Sequence, residues 1–172
     1  MGKRIIQQAR GHGSSTYRVR KKAFKHKIKY PKKLEGEGTV VKLLDSGGHS
    51  APLAKIKYKE GVFFIPGFNK MFEGQKINFE SKEIKDGNIM KLQDVPLKTQ
   101  IYCIESRPGD GGIFIKTAGS SATINKVIEE KIFILMPSKK ARKFHKNCRA
   151  IIGVIAGAGR LEKPDVKAGK KF

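Results

Sequence analysis

The chain has 172 residues, of which 37 are Lys or Arg and 15 are Asp or Glu, a formal charge of +22. Such an excess repels itself unless an anionic partner neutralises it; nucleic acid is the commonest such partner and acidic lipid surfaces come second. Two cysteines, no secretory leader pattern and no apolar run near the ~18 residues of a membrane span argue against a disulfide scaffold or a helical membrane protein. The expectation is a soluble, cytoplasmic, strongly basic protein.

The charge is unevenly placed. Residues 1–33 hold twelve cations and no acid, residues 34–137 come to +1, and residues 138–172 come to +9. A near-neutral middle between two cationic ends is the layout of a folded body with nucleic-acid-binding arms. The first arm, MGKRIIQQARGHGSSTYRVRKKAFKHKIKYPKK, keeps neither the helical nor the strand period for long. Alone in water it is expected to be disordered and to order on RNA. Arg18 and Arg20 suit bidentate phosphate contacts better than the lysines do, while the lysines from Lys21, Lys22 and Lys25 onward read as general charge neutralisation. Tyr17, Phe24 and Tyr30 sit among these cations. Each ring either stacks on an unpaired base or folds back onto the core.

The middle reads as short strands. GTVVKLL at 38–44 opens the set, and in PLAKIKYKEG the residues Ala54, Ile56 and Tyr58 alternate with lysines, the period of a half-buried strand. Glu60-Gly61 turns into the apolar run Val62 to Ile65, QKINFES alternates through Ile77 and Phe79, and DGN at 86–88 is a further turn. About five strands are expected between 34 and 95, enough for a small barrel. After Pro96, strands are expected at Ile101–Ile104, Ile113–Thr117, Ala122–Val127, Ile132–Met136 and Ile151–Ile155, all rich in β-branched residues. The segment 124–135 also fits a helical stripe, but its β-branched content and a Glu129-Glu130 turn favour two strands. The class is all-β, two small barrels in series.

The stretch RPGDGGIFIKTAGSSATI, 107–124, has the glycines and serines of a phosphate cradle. A Walker-type loop, however, leads into a helix with Lys then Ser or Thr after its last glycine, and here Gly112 is followed by a strand pattern. GAGR at 157–160 lacks the third glycine and the acidic partner of a dinucleotide fingerprint. These glycines are expected to bend strands and to let backbone amides approach phosphate closely.

RPGDGGIFIKTAGSSATI, MPSKKARKFHKNCRAIIGVIAGAGRLEKP (136–164) and KAGKKF (167–172) resemble consecutive blocks of the universal large-subunit ribosomal protein family L-two. GKRIIQQARGHGSSTYRVR (2–20) and SAPLAKIKY (50–58) are similar to its archaeal and eukaryotic-type members. The resemblance covers nearly the whole chain. It implies an OB-fold barrel over 34–95, an SH3-like barrel over 96–160, a basic arm at 1–33 and a basic tail at 161–172. It implies binding of 23S-type rRNA, with neighbouring ribosomal proteins and the small subunit as further contacts, and a role in subunit assembly, subunit association and support of the peptidyl-transferase region. Carried over by residue, the RNA-facing positions are Arg18, Arg20, Arg107, Gly111, Gly112, Ser120, Arg149, Gly157, Gly159, Arg160 and Lys163. The charge pattern adds Arg4, Arg10, Tyr17, Lys21, Lys22, Lys25, Lys139, Lys140, Arg142, Lys170 and Lys171. Arg149 has an alternative, a carboxylate partner such as Glu105 or Glu162, and Asp110 is expected to fix a turn. Members of the family normally continue past the position of Phe172 into a His- and Gly-rich loop; either the sequence is part of a longer protein or this member lacks the extension, and no residue is assigned to that loop.

An enzyme is not expected. His12, His26, His49 and His145 are scattered, and Cys103 and Cys148 form no metal-ligand spacing, so no catalytic residue, cofactor or protein-held metal is assigned. Magnesium carried by RNA is not readable from sequence, and neither a membrane nor a homo-oligomer is expected. A freestanding OB-fold translation factor or RNA chaperone is the competing reading.

Overall fold

The protein was analysed as a computed structural model that describes residues 2–18, 21–79, 83–166 and 168; for Lys21, Lys22, Arg160 and Leu161 it describes the backbone alone. The expected all-β class is observed. Strands β1 (Glu37–Leu44), β2 (Leu53–Tyr58), β3 (Gly61–Pro66) and β4 (Lys76–Asn78) form an antiparallel sheet in the order β3-β2-β1-β4. Strands β5 (Ile89–Lys91), β6 (Gln100–Tyr102), β7 (Ala122–Ile128), β8 (Lys131–Leu135), β9 (Ala141–His145) and β10 (Arg149–Ile152) form a second in the order β5-β10-β6-β7-β8-β9. Regular helix among the described residues is a six-residue α1 (Ile6–Gly11) and three short 3-10 turns. None of it is long and apolar enough to cross a membrane.

The alternation read in β2 holds at its centre, where Ala54 and Ile56 are buried and Lys57 is exposed, whereas Leu53 is buried beside Ala54 and Lys55 and Tyr58 are both half-buried. The ambiguous stretch 124–135 is the β7–β8 hairpin, closed by Glu129 in the left-handed region at φ +51°. The five strands expected between 34 and 95 are present as β1 to β5; β1 to β4 form the first sheet, while β5 pairs with β10 of the second and Ile89 also bridges to Phe79. Two expectations need correcting. Ile113–Thr117 is not a strand: Phe114 makes a single bridge to Ile104, and Ile115 sits at φ +59°, where a β-branched residue cannot continue a ladder. Finally, ARKFH forms β9, which periodicity could not reveal because Phe144 is its one buried residue.

Strands β5, β6 and β10 form a wall with a hydrophobic core on each side. Ile89, Tyr102 and Ile151 face the core of the first sheet, whereas their neighbours Met90, Ile101, Ala150 and Ile152 face a second core with Ile124, Ile132, Ile134 and Phe144. Period two along a strand sends successive side chains to opposite faces, so a strand buried on both faces reads as a continuous apolar run. All four residues of β10 are buried accordingly.

The arm is not free along its whole length. Ile28 and Lys29 bridge to Phe64 of β3, and the Tyr30 N–H donates to the Gly111 carbonyl at 3.2 Å. Ile28, Tyr30 and Leu34 are buried in the first core. Of the two fates open to each ring, Tyr30 takes the core, while Tyr17 and Phe24 stay about half exposed. The arm expected to be disordered therefore splits in physical character near residue 26.

Truncation tests this division. A chain starting at residue 26 should melt within a few degrees of the parent. One starting at residue 34 loses Ile28 and Tyr30, each costing about 2–5 kcal/mol by analogy with large-to-small core changes, and should melt far lower. Equal melting of the two truncations would show that Tyr30 contributes nothing to the core.

Candidate nucleic-acid interface

The glycine-rich loop 105–112 is built around two carboxylates. Glu105 is fully buried, and its Oε1 accepts the N–H groups of Gly109 and Gly111 at 3.2 and 3.1 Å. Asp110 Oδ2 accepts those of Ser106 and Arg107 at 2.7 and 3.0 Å, and its Oδ1 accepts that of Gly112 at 3.0 Å. The Asp110 N–H donates to the Arg107 carbonyl at 3.2 Å, and Pro108 has no N–H to give. Every backbone donor from 106 to 112 is thus consumed within the protein. A nest of amides that could have cradled phosphate already holds the protein's own anions. The expectation that these amides approach phosphate is corrected, and Asp110 fixes the turn as the sequence suggested.

Gly111 and Gly112 are required by protein packing. Both have positive φ, +82° and +84°. A Cβ on Gly112 would lie 2.5 Å from the Cys103 carbonyl oxygen and 2.9 Å from the Tyr30 ring; on Gly111 it would meet Lys29 and the Tyr30 carbonyl. The close approach is between the arm and the loop, within one chain.

Arg149 takes its carboxylate alternative. It is 5% exposed, and its Nη2 donates to Glu105 Oε1 at 2.8 Å and to the Pro31 carbonyl at 3.0 Å. Its backbone N–H donates to Glu105 Oε2 at 2.8 Å, and its guanidinium lies over the Tyr30 ring, 5.1 Å from the centroid. The Tyr30 hydroxyl in turn sits 3.0 Å from the carbonyls of Cys103 and Arg149. Burial first, then the neighbouring Cys103 and Glu105, push the Tyr30 hydroxyl well above its ordinary pKa. Burial likewise pushes the thiols of Cys103 and Cys148 up to about 12 and about 11, so both act as core residues.

The remaining candidates fall into separate places. Arg107 is exposed on the loop, beside a groove lined by Lys32, Lys91, Pro108, Gly109, Asn147 and the edge of Arg149. Lys139, Lys140 and Arg142 lie exposed on the β8–β9 hairpin, with the Arg142 guanidinium stacked 4.3 Å over Phe114. Ser120, Gly157 and Gly159 share another end, where Gly119 N–H donates to the carbonyls of Ile155 and Ala156 and the Ser120 hydroxyl turns to Thr117. Gly157 has φ +88° and packs against Ala118, whereas Gly159 faces open space. Lys163 and Lys25 are exposed, as are Arg4, Arg10 and Arg18; the Arg10 guanidinium sits 5.8 Å from the Tyr17 ring. Arg20, Lys170 and Lys171 lie outside the described residues, as do the side chains of Lys21, Lys22 and Arg160. Sequence reasoning counted Lys32 only as general arm charge and did not bring it together with Lys91 and Asn147, which no local pattern places beside it. It also missed Glu105 as the organiser of the loop, since an acid was sought there only as a possible partner for Arg149. Among the described residues, no three His, Cys, Asp or Glu side chains are grouped to hold a metal ion.

Two substitution sets separate packing from recognition. Glu105→Ala leaves the Arg149 guanidinium buried without its counter-charge and should cost about 3–5 kcal/mol in urea unfolding. A loss below about 1 kcal/mol would mean that the pair is dispensable. Gly112→Ala should lower stability by more than about 1 kcal/mol, because its φ is positive and the space is filled. Gly159→Ala should leave stability within about 0.5 kcal/mol. A loss of RNA affinity in the Gly159 variant would then report a contact made from outside the chain.

The C-terminal half, residues 85–172, matches the family model described as "Ribosomal Proteins L2, C-terminal domain". Proteins named "Large ribosomal subunit protein uL2" align with the whole chain: that of Methanothermobacter thermautotrophicus is 39% identical, with 75% of its own length covered. Those of Methanocaldococcus jannaschii and Archaeoglobus fulgidus are each 40% identical, with 74% of their length covered. Identity at this level over every residue agrees with the resemblance read from the blocks at 107–124 and 136–172, and the chain belongs to the uL2 family of large-ribosomal-subunit proteins.

Proposed function

We propose that the chain is a non-enzymatic structural component of the large ribosomal subunit that binds 23S-type rRNA through its exposed cations and supports assembly, subunit association and the peptidyl-transferase region. The observation that carries this reading is a separation of charge by depth. The acids of the 105–112 loop are turned inward onto backbone amides and Arg149, while Arg107, Lys139, Lys140, Arg142 and Lys163 face outward. Outward cations suit a phosphate backbone, which contributes most of the sequence-independent affinity. Neighbouring ribosomal proteins and the small subunit belong to the same reading, as does residence on the cytoplasmic ribosome. An arm, a first barrel, a second barrel and a tail also belong to it, and the pairing of β5 with β10 favours a seam at the 86–88 turn rather than near residue 95.

Salt titration tests the reading. The affinity of the full chain for large-subunit rRNA should fall steeply between 50 and 200 mM salt. Replacing both Lys139 and Lys140 by Ala should lower the slope of log K against log salt by about 0.7–0.9 per lost phosphate contact. An unchanged slope would remove the β8–β9 hairpin from the interface. Stoichiometric sedimentation with the large subunit after a high-salt wash is expected of a structural component; complete release would favour a dissociable factor.

A further inference from the structure

Four aromatic rings gather where residues 23–28 cross the first sheet. Phe24 meets His49 edge-on, with centroids 5.3 Å apart and planes at 89°. His26 tilts against Phe64 at 4.6 Å. Beside them runs a groove of about 540 Å³ lined by Phe24, His26, Lys27, Ile28, His49 and Lys116, within the size range of small-ligand sites. Phe24 is 51% exposed, so its ring contributes little to the core.

The groove is held in shape by the fold. The Ser46 hydroxyl donates to the Ala23 carbonyl and lies 2.9 Å from His49 Nδ1. The backbone at Gly48 approaches so closely that a Cβ there would stand 2.3 Å from the Ala23 carbonyl oxygen and 2.9 Å from the Phe24 ring. The Lys116 ammonium donates to the Ile28 carbonyl at 3.1 Å, which fixes a cation at the rim with donors to spare. Burial first, then Lys116 and His26, lowers the His49 pKa, and no carboxylate opposes them. The surroundings are cationic, while the ring that faces solvent is flat and apolar.

We propose that this groove takes one unpaired nucleotide of RNA, its base stacked on Phe24 and its phosphate held by Lys27 and Lys116. A flat ring among cations matches a base joined to a phosphate, since every base has a π-face and an unpaired one leaves that face free. An acidic peptide would use the cations and leave the ring idle, and an apolar helix would use the ring and bury the cations unpaired. The assignment rests on the rRNA-binding reading above and narrows it to one nucleotide and one ring.

The chain contains no tryptophan, so Phe24→Trp supplies a single reporter at the proposed contact. Titration of that full-length variant with a short single-stranded oligoadenylate should quench its fluorescence saturably, and a blunt RNA duplex of equal length should not. Phe24→Leu should weaken oligoadenylate binding on the order of ten-fold with an unchanged melting temperature, while Phe24→Tyr should bind like the parent. Absence of quenching, equal quenching by duplex, or parent-like binding by Phe24→Leu would overturn the assignment. Affinity for large-subunit rRNA is measured in parallel. If the parent binds that rRNA but Phe24 does not matter, the groove assignment falls and the rRNA reading stands; if the parent binds neither RNA, both fall. A Phe24→Trp signal that answers only to another ribosomal protein would give the groove to a protein partner and overturn the proposal.

Discussion

The buried pair between Glu105 and Arg149 is the constraint to which the loop, the arm and the wall are all tied. Glu105 accepts from two loop amides, from the Arg149 backbone and from its guanidinium; Arg149 also reaches the Pro31 carbonyl and covers the Tyr30 ring. A buried ion pair adds little net stability, because desolvation offsets most of the attraction, yet removing one partner strands the other. Its consequence here is geometric. One carboxylate sets the path of residues 109–111, the depth of the arm and the side chain at the start of β10.

That arrangement also explains why a glycine-rich loop in a basic protein does not behave as a phosphate cradle. Backbone amides in a tight turn attract anions, and this fold supplies two of its own, Glu105 and Asp110, before any nucleic acid arrives. What remains for an external anion is the side-chain charge of Arg107 and its neighbours. Under the proposed rRNA-binding reading, long, solvated side chains rather than fixed amides would meet the RNA backbone.

The two-sided wall of β5, β6 and β10 has a related effect on the surface. Because alternate residues of these strands feed opposite cores, neither sheet needs its own private interior. The outer strands and hairpins can then carry cations. The surface ion pairs Lys76–Glu37 and Lys146–Glu130 are solvated and contribute little to stability.

The sequence by itself determined the all-β class, most strand positions and the family. These rest on local signals: period-two alternation in β2, turn residues at 60–61 and 86–88, and distinctive blocks that survive without any contact information. It also showed the charge asymmetry, on which the proposed class of partner rests. It could not show that Arg149 turns inward while Arg107 turns outward, since what separates them is Glu105 and the Tyr30 ring, brought to Arg149 from 44 and 119 positions away. Nor could it place Tyr30 in that core while leaving Phe24 on the surface, although both rings occupy the same basic run. Pairing β5 with β10, and gathering Phe24, His49 and Lys116 around one groove, join residues scores of positions apart. Such meetings are decided by which faces must be buried together, and only the tertiary structure carries that information.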